Sequence, residues 1–245
     1  PFEPEMILSP AGEFLMGSDP QKDKDAKGVE QPQHTLHLPD YTMAKTPITQ
    51  AQYAAFVQAT GHRVPNVDES WAESYNWSGP RPPKGQENHP VVLVTWHDAV
   101  AYCNWLAETT GKSYRLPSEA EWEKGARCTG GRIYPWGNRW DAKLCNTSEG
   151  GKEGTTPVGA YPKGASHYGL LDMAGNVYEW TLSLRRKYPY RAKDGRENLD
   201  TSRNRVLRGG SWSRTRLYAR CASRRGVQPS YRDFFVGFRV VISPI

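Results

Sequence analysis

The sequence predicts a loop-rich domain that mixes a few helices with short strands. Three observations lead there. Its 245 residues include 23 glycines and 19 prolines without a repeat period, which excludes collagen-like and low-complexity chains and argues against a helical bundle. Three stretches carry helix start and stop signals. The strand-like segments are short and gather toward the two ends of the chain. The length suits one large domain or two small ones. No boundary is visible, so a single domain over 1–245 is expected.

In chain order, Met6–Leu8, Glu13–Met16, His34–Leu38 and Tyr41–Ala44 read as strands. Thr49 with Gln52 opens a helix over 50–60, with Tyr53, Phe56 and Val57 on one face and Gly61 as its stop. Thr95 with Asp98 opens a second helix over 96–110, where Val100, Cys103 and Leu106 recur at helical spacing before Gly111. Ser118 with Glu121 forms a capping box that opens a third over 119–126. From 129 to 205 the chain is punctuated by turn residues, among them Gly150-Gly151, Pro157, Pro162 and Gly164. So long an irregular stretch needs bound metal or dense aromatic packing to hold it. Its most polar and basic part, 183–204, reads as a surface loop, and Val206–Arg208 and Gly237–Val241 read as the closing strands.

Hydrophobic residues make up 37% and charged residues 24%. No apolar run approaches the ~18 residues of a membrane helix. The net charge is +6, and residues 203–239 carry ten arginines against the single acid Asp233. That balance permits an acidic partner. No nucleic-acid-binding module accompanies it, so nucleic acid is not the expected partner. The four cysteines, Cys103, Cys128, Cys145 and Cys221, show neither a CxxC pair nor zinc-ligand spacing. No leader-like segment is present, which favours the cytoplasm, and a start at Pro1 reads as a partial chain with room for domains upstream.

Two turns could carry chemistry. Asp172 and Glu179 lie seven residues apart across Gly175-Asn176, and with the intervening carbonyls they are hard oxygen donors of the kind calcium takes. The alternative is a solvent-facing Asp172 and a turn-capping Glu179. Asn146-Thr147-Ser148-Glu149 offers a second such set. His34, His37 and His97 have no HExxH or HxxxHxE spacing, so zinc and mononuclear iron chemistry find no support. Ser211 sits in a Gly-Gly-Ser-Trp turn rather than a GxSxG elbow, and it reads as a turn serine bonding backbone.

Several blocks occur in order: Met16-Gly17-Ser18, Pro47-Ile48-Thr49, Pro90-Val91 with Trp96 and Tyr102, Arg115-Leu116-Pro117-Ser118-Glu119-Ala120-Glu121-Trp122-Glu123, Tyr134-Pro135-Trp136-Gly137, Thr156-Pro157-Val158-Gly159, Gly175-Asn176-Val177-Tyr178-Glu179-Trp180, Arg208-Gly209-Gly210-Ser211-Trp212 and Gly237-Phe238-Arg239. Together they resemble the formylglycine-generating enzyme family, also called sulfatase-modifying factor domains, over residues 5–242. The resemblance implies a single α+β domain of the C-type-lectin-like kind: loop-rich, with a few helices on small antiparallel sheets and structural calcium in the loops. By motif, one calcium site falls on Asp172, Glu179 and the carbonyls of Gly175 and Val177. The other falls on Asn146, the Thr147 carbonyl and Glu149.

The family's enzymes bind copper through two cysteines just after the Gly-Gly-Ser turn and oxidise a substrate cysteine within Cys-x-Pro-x-Arg. Cu(I) requires such soft thiolates. Here Arg214 stands at the first position, and the second falls in a gap or on Ala219. Cys221 matches a separate structural cysteine of the family, which makes a cross-link to Cys128 one alternative. The resemblance therefore implies fold and calcium without copper. In C-type-lectin-like relatives, including variable proteins diversified by retroelements, the segment after the turn presents the ligand-binding face. Here it offers Trp212, Arg214, Arg216, Tyr218, Arg225, Gln228, Tyr231, Arg232, Phe234 and Phe235, about half of them expected in the core or in ion pairs. Aromatics and Arg are the types enriched at binding hot spots. A non-catalytic bacterial domain binding a protein or peptide, as a variable protein or a sensor, is expected. The alternative is an oxidase of the family's kind, with Cys221 catalytic and Ser211 and Trp212 lining the groove.

Overall fold

The computed structural model describes residues 2–243. Strands β1 (Met6–Ser9), β2 (Gly12–Met16), β3 (His34–Leu38) and β4 (Tyr41–Ala44) precede helix α1 (Gln50–Thr60) and helix α2 (Trp96–Thr110). Then come β5 (Tyr114–Arg115), α3 (Glu119–Arg127), β6 (Tyr178–Leu184), β7 (Arg205–Arg208), β8 (Arg224–Val227), β9 (Val236–Phe238) and β10 (Val241–Ile242). One sheet runs β1-β4-β10-β5, a two-stranded sheet pairs β2 with β3, and a third runs β8-β7-β6-β9. All pairings are antiparallel except β6 with β9. This is the expected α+β, loop-rich architecture. Among the described residues no helix is long and apolar enough to cross a membrane.

All three helices begin at reciprocal capping boxes, as their sequences dictate. Helices α1 and α2 stop at Gly61 and Gly111 in the left-handed region. Their apolar faces meet the β6 sheet in the main core, where Tyr53, Phe56, Trp96, Tyr102, Leu106, Trp180 and Phe238 pack together. Helix α3 is different, because every one of its residues is buried, charges included. Glu123 explains how that is tolerated: its carboxylate accepts from Gly17 N at 2.7 Å and Arg127 Nη1 at 2.9 Å, and it pairs with Arg208 Nη2. Glu119 pairs with Arg224 Nη2 at 2.7 Å. Burial opposes the charge on Arg208, and Glu123, Tyr188 and Glu119 outweigh it, so its pKa rises.

Three expectations need correction. The stretch 183–204 is not simply a surface loop: Tyr188, Tyr190 and Arg196 are buried, with Tyr188 Oη donating to Glu119 at 3.2 Å and Arg196 stacked 4.2 Å over the Tyr190 ring. The strand expected over Gly237–Val241 is split between β9 and β10, since the chain passes there from one sheet to another. The turn-rich stretch 129–205 also holds β6, the strand that pairs with both β7 and β9. Its irregular part is held by aromatic packing, with Tyr134 stacked on Trp136 at 5.4 Å and tilted against Trp140 at 5.2 Å.

Candidate functional site

After β7, Gly209 and Gly210 take positive φ of 92° and 71° and turn the chain across the end of the sheet. A Cβ on Gly210 would lie 2.9 Å from the Tyr218 carbonyl carbon, so only glycine permits this approach. Trp212 N then donates to Asn176 O at 3.0 Å, which lays Trp212 beside the start of β6. Ser211 is buried, with its hydroxyl 3.2 Å from Ser213 Oγ.

Around this turn the structure gathers much of the expected face. Trp212 packs on Phe234 at 5.5 Å, and Phe234 stacks on Tyr75 at 5.6 Å and touches Trp71 at 5.7 Å. Arg225 lies 5.4 Å over the Tyr231 ring, whose hydroxyl donates to Asp233 at 2.6 Å. Lys27 sits 4.1 Å over the Tyr218 ring. Arg214 lies 5.2 Å from the ring of Phe235. Gln228 is exposed and Arg232 half-buried. Two expected members serve elsewhere. Phe235 is 5% exposed and belongs to the core, packed against Tyr178 at 6.1 Å, because it leads into β9. Arg216 is tied to Asp25 at 3.2 Å, and its backbone N donates to Glu149 at 2.8 Å. Sequence reasoning missed Trp71, Tyr75 and Tyr178, which long-range packing brings to the face.

The thiols are placed otherwise. All four cysteines are free and buried, so Cys128 and Cys221 form no cross-link in this structure. Cys221 packs with Met43, Trp122, Leu170 and Met173, and burial pushes its thiol up to about 12. It is a thiol, not a thiolate, at neutral pH. By the resemblance, Arg214 stands where the first copper thiolate would be and the second falls in a gap or on Ala219, so the residues here do not offer the thiolate pair that Cu(I) requires.

The two loops expected to hold calcium lie side by side. Asn176 N donates to Asn146 O at 2.8 Å, and a Cβ on Gly175, at φ +80°, would stand 2.2 Å from that oxygen. Asn146 Oδ1 is buried without a partner, and the carbonyls of Gly175 and Val177 accept no hydrogen bond from the described residues. Buried oxygens left this way suit a hard cation. Asp172 accepts from Gly159 N at 2.6 Å, and burial pushes its carboxyl up to about 6. Glu179 is already partly engaged. Its Oε2 accepts from Trp122 Nε1 at 2.8 Å and Arg239 Nε at 2.6 Å, while Oε1 accepts only from Arg239 Nη2 at 2.8 Å and keeps a lone pair. Thr147 O accepts from Gly150 N at 2.9 Å. Among the described residues no three acidic, histidine or cysteine side chains converge as a metal cluster, so cation binding here depends on carbonyls and amides.

The sequence profile of the sulfatase-modifying factor enzyme 1-like domain matches residues 2–244. The formylglycine-generating enzyme of Streptomyces coelicolor is 34% identical, over 95% of this chain and 87% of its own. PvdO from Pseudomonas aeruginosa superposes with a TM-score of 0.83 at 29% identity, covering 99% of this chain and 95% of that one. Treponema denticola variable protein 1 shares the fold at a TM-score of 0.75 and 24% identity, covering 98% and 95%. With its motif blocks in place on that fold along nearly the whole length, the chain belongs to the formylglycine-generating enzyme, or sulfatase-modifying factor, family.

Proposed function

We propose that this chain is a non-catalytic ligand-binding domain of the family, which presents its Arg and aromatic face within residues 212–235 to a protein or peptide. The observation that carries the reading is a contrast at the Gly-Gly-Ser-Trp turn. The neighbouring thiol, Cys221, is sealed in the core, whereas Trp212, Tyr218, Tyr231, Phe234, Arg214 and Arg225 stand half-buried together. Half-buried aromatics and arginines supply large contact area at low entropic cost. Calcium is the structural ion in this reading. Asp172, the carbonyls of Gly175 and Val177 and the remaining lone pair of Glu179 would hold one ion, and Asn146, Thr147 O and Glu149 a second. The ion would fix the loops on which the face rests.

The competing reading is an oxidase of the family's kind acting on a substrate cysteine, with Cys221, Ser211 and Trp212 in the groove. The identity with enzymes named for that activity favours it. Burial of Cys221 and the place of Arg214 speak against it.

Peptides selected from a random library on the immobilised domain test the binding reading. Trp212→Ala and Tyr231→Ala are each expected to weaken the selected peptides at least about tenfold, as hot-spot truncations do. Both variants should keep the wild-type melting profile, since neither side chain is fully buried. Peptides that bind both variants as tightly as wild type would place the binding surface elsewhere and overturn the reading.

A further inference from the structure

Strand alternation sorts the arginines of the β6 sheet by side. Glu179, Arg208 and Arg224 stand in one cross-strand row and turn to the buried ion pairs around α3. Trp180, Leu207 and Arg225 form the next row and turn the opposite way, and Tyr178, two residues before Trp180, shares their side. This second side faces the turn that carries Trp212 and Arg214.

The groups gathered there are donors without acceptors. Tyr178 is 2% exposed and its hydroxyl has no partner. The indole N–H of Trp212 is buried without a partner as well. Neither Arg214 nor Arg225 has a carboxylate within ion-pair distance among the described residues. Each is seated only on a ring, that of Phe235 or Tyr231. The charges of both arginines bear on the Tyr178 phenol. The acid beside them, Asp233, is already committed to Tyr231 Oη and to Phe234 N. Elsewhere in this molecule the buried guanidinia of Arg220 and Arg239 are met by carboxylates, and that of Arg205 by the carbonyls of Leu182, Leu199 and Thr201. Buried donors left without acceptors are costly, and a pair of unneutralised guanidinia beside them more so.

We infer that the cluster of Tyr178, Trp212, Arg214 and Arg225 binds a carboxylate of the ligand. A carboxylate offers two oxygens in a plane that a guanidinium fork matches, and it can accept the phenol and indole protons at the same time. The rings of Trp212, Phe234 and Tyr231 form an apolar surround that strengthens such bonds. The inference rests on the binding reading and names the chemistry its ligand must carry.

The Trp212 indole is its own reporter. In the full chain labelled with nitrogen-15, its N–H resonance is assigned by loss in Trp212→Phe. Sodium benzoate, titrated at constant ionic strength, is expected to shift that resonance saturably, and the neutral isostere benzamide to leave it in place. Arg225→Gln and Arg214→Gln should each weaken benzoate about tenfold or more while the remaining resonances stay put. Two peptides distinguish the source of the carboxylate: a C-terminally amidated one with an internal Glu, and one with a free C-terminus and no acidic residue. Whichever competes with benzoate supplies it. Equal shifts with benzamide, or a titration unchanged in both arginine variants, would overturn the inference. Selected peptides that are neutral and still depend on Trp212 would overturn it too, while leaving the face as a binding surface. Arginine-dependent benzoate binding that no selected peptide contests would uphold the carboxylate site and overturn the peptide reading instead.

Discussion

Glu123→Ala is expected to destabilise the domain by about 3–5 kcal/mol, the cost of leaving buried charges unpaired. The carboxylate of Glu123 meets Arg127 and Arg208 and accepts from Gly17 N, with both guanidinia and the acid at 2% exposure or less. Removing it leaves two cations and a backbone donor uncompensated where α3 meets the β6 sheet. Thermal melting should fall by about 2–4 °C per kcal/mol for a chain of this size. Glu108→Ala, on the exposed side of α2, should change stability by about 0.5 kcal/mol or less. A loss below about 1 kcal/mol for Glu123→Ala would mean that the ion pairs around α3 are not what anchors it.

Calcium removal is the second large effect. With the ion present at about 100 times its Kd, binding to the folded state adds about 2.7 kcal/mol, which a chelator should take away. Gly175→Ala should abolish that increment. The added Cβ would meet Asn146 O at 2.2 Å and push apart the two loops that carry the oxygen donors. The variant also loses about 1–2 kcal/mol from a left-handed backbone that alanine resists. Calorimetry with calcium and with chelator separates the two contributions, because the backbone cost persists in both and the calcium increment does not. A wild-type melting temperature unmoved by calcium would sink the assignment of these loops.

The helices were legible because their signals are local. Thr49 with Gln52, Thr95 with Asp98 and Ser118 with Glu121 each satisfy the first free N–H groups of a helix within four residues. Strand β6 was missed for the opposite reason. Tyr178-Glu179-Trp180-Thr181-Leu182-Ser183-Leu184 alternates apolar and polar, yet all but Leu182 are buried, because the polar row meets Arg208, Arg239 and Trp122 rather than water. The pairing of Glu179 with Arg239 is equally hidden, since nothing near Glu179 in sequence announces a partner sixty residues on. Strand β8, Arg-Arg-Gly-Val, has no strand-like composition; β7 pairing and the ion pair to Glu119 make it one.

The candidate face was legible in part. The glycine turn and the Arg and aromatic residues after it marked the region, but three of its neighbours come from elsewhere. Trp71 and Tyr75 lie in a short 3-10 segment and Tyr178 in β6, and only tertiary packing brings their rings to Phe234 and its surroundings. Strand register separates Arg208 and Arg224 from Arg225, and the composition of 203–239 does not encode it. Arg208, Arg220, Arg224 and Arg239 go to carboxylates. Arg214 goes to the ring of Phe235 and Arg225 to that of Tyr231.

The proposed function has this chain keep the family's fold and bind a ligand without oxidising a substrate cysteine. Its most direct test incubates the full chain, supplied with Cu(I) and oxygen, with a peptide containing Cys-x-Pro-x-Arg, and reads the peptide mass beside a Cys221→Ala control. A peptide of unchanged mass is expected with both proteins, since Cys221 is a buried thiol and Arg214 stands where the first thiolate would be needed. Conversion of the peptide cysteine to an aldehyde by the wild-type chain, abolished by Cys221→Ala, would contradict it and make Cys221 catalytic.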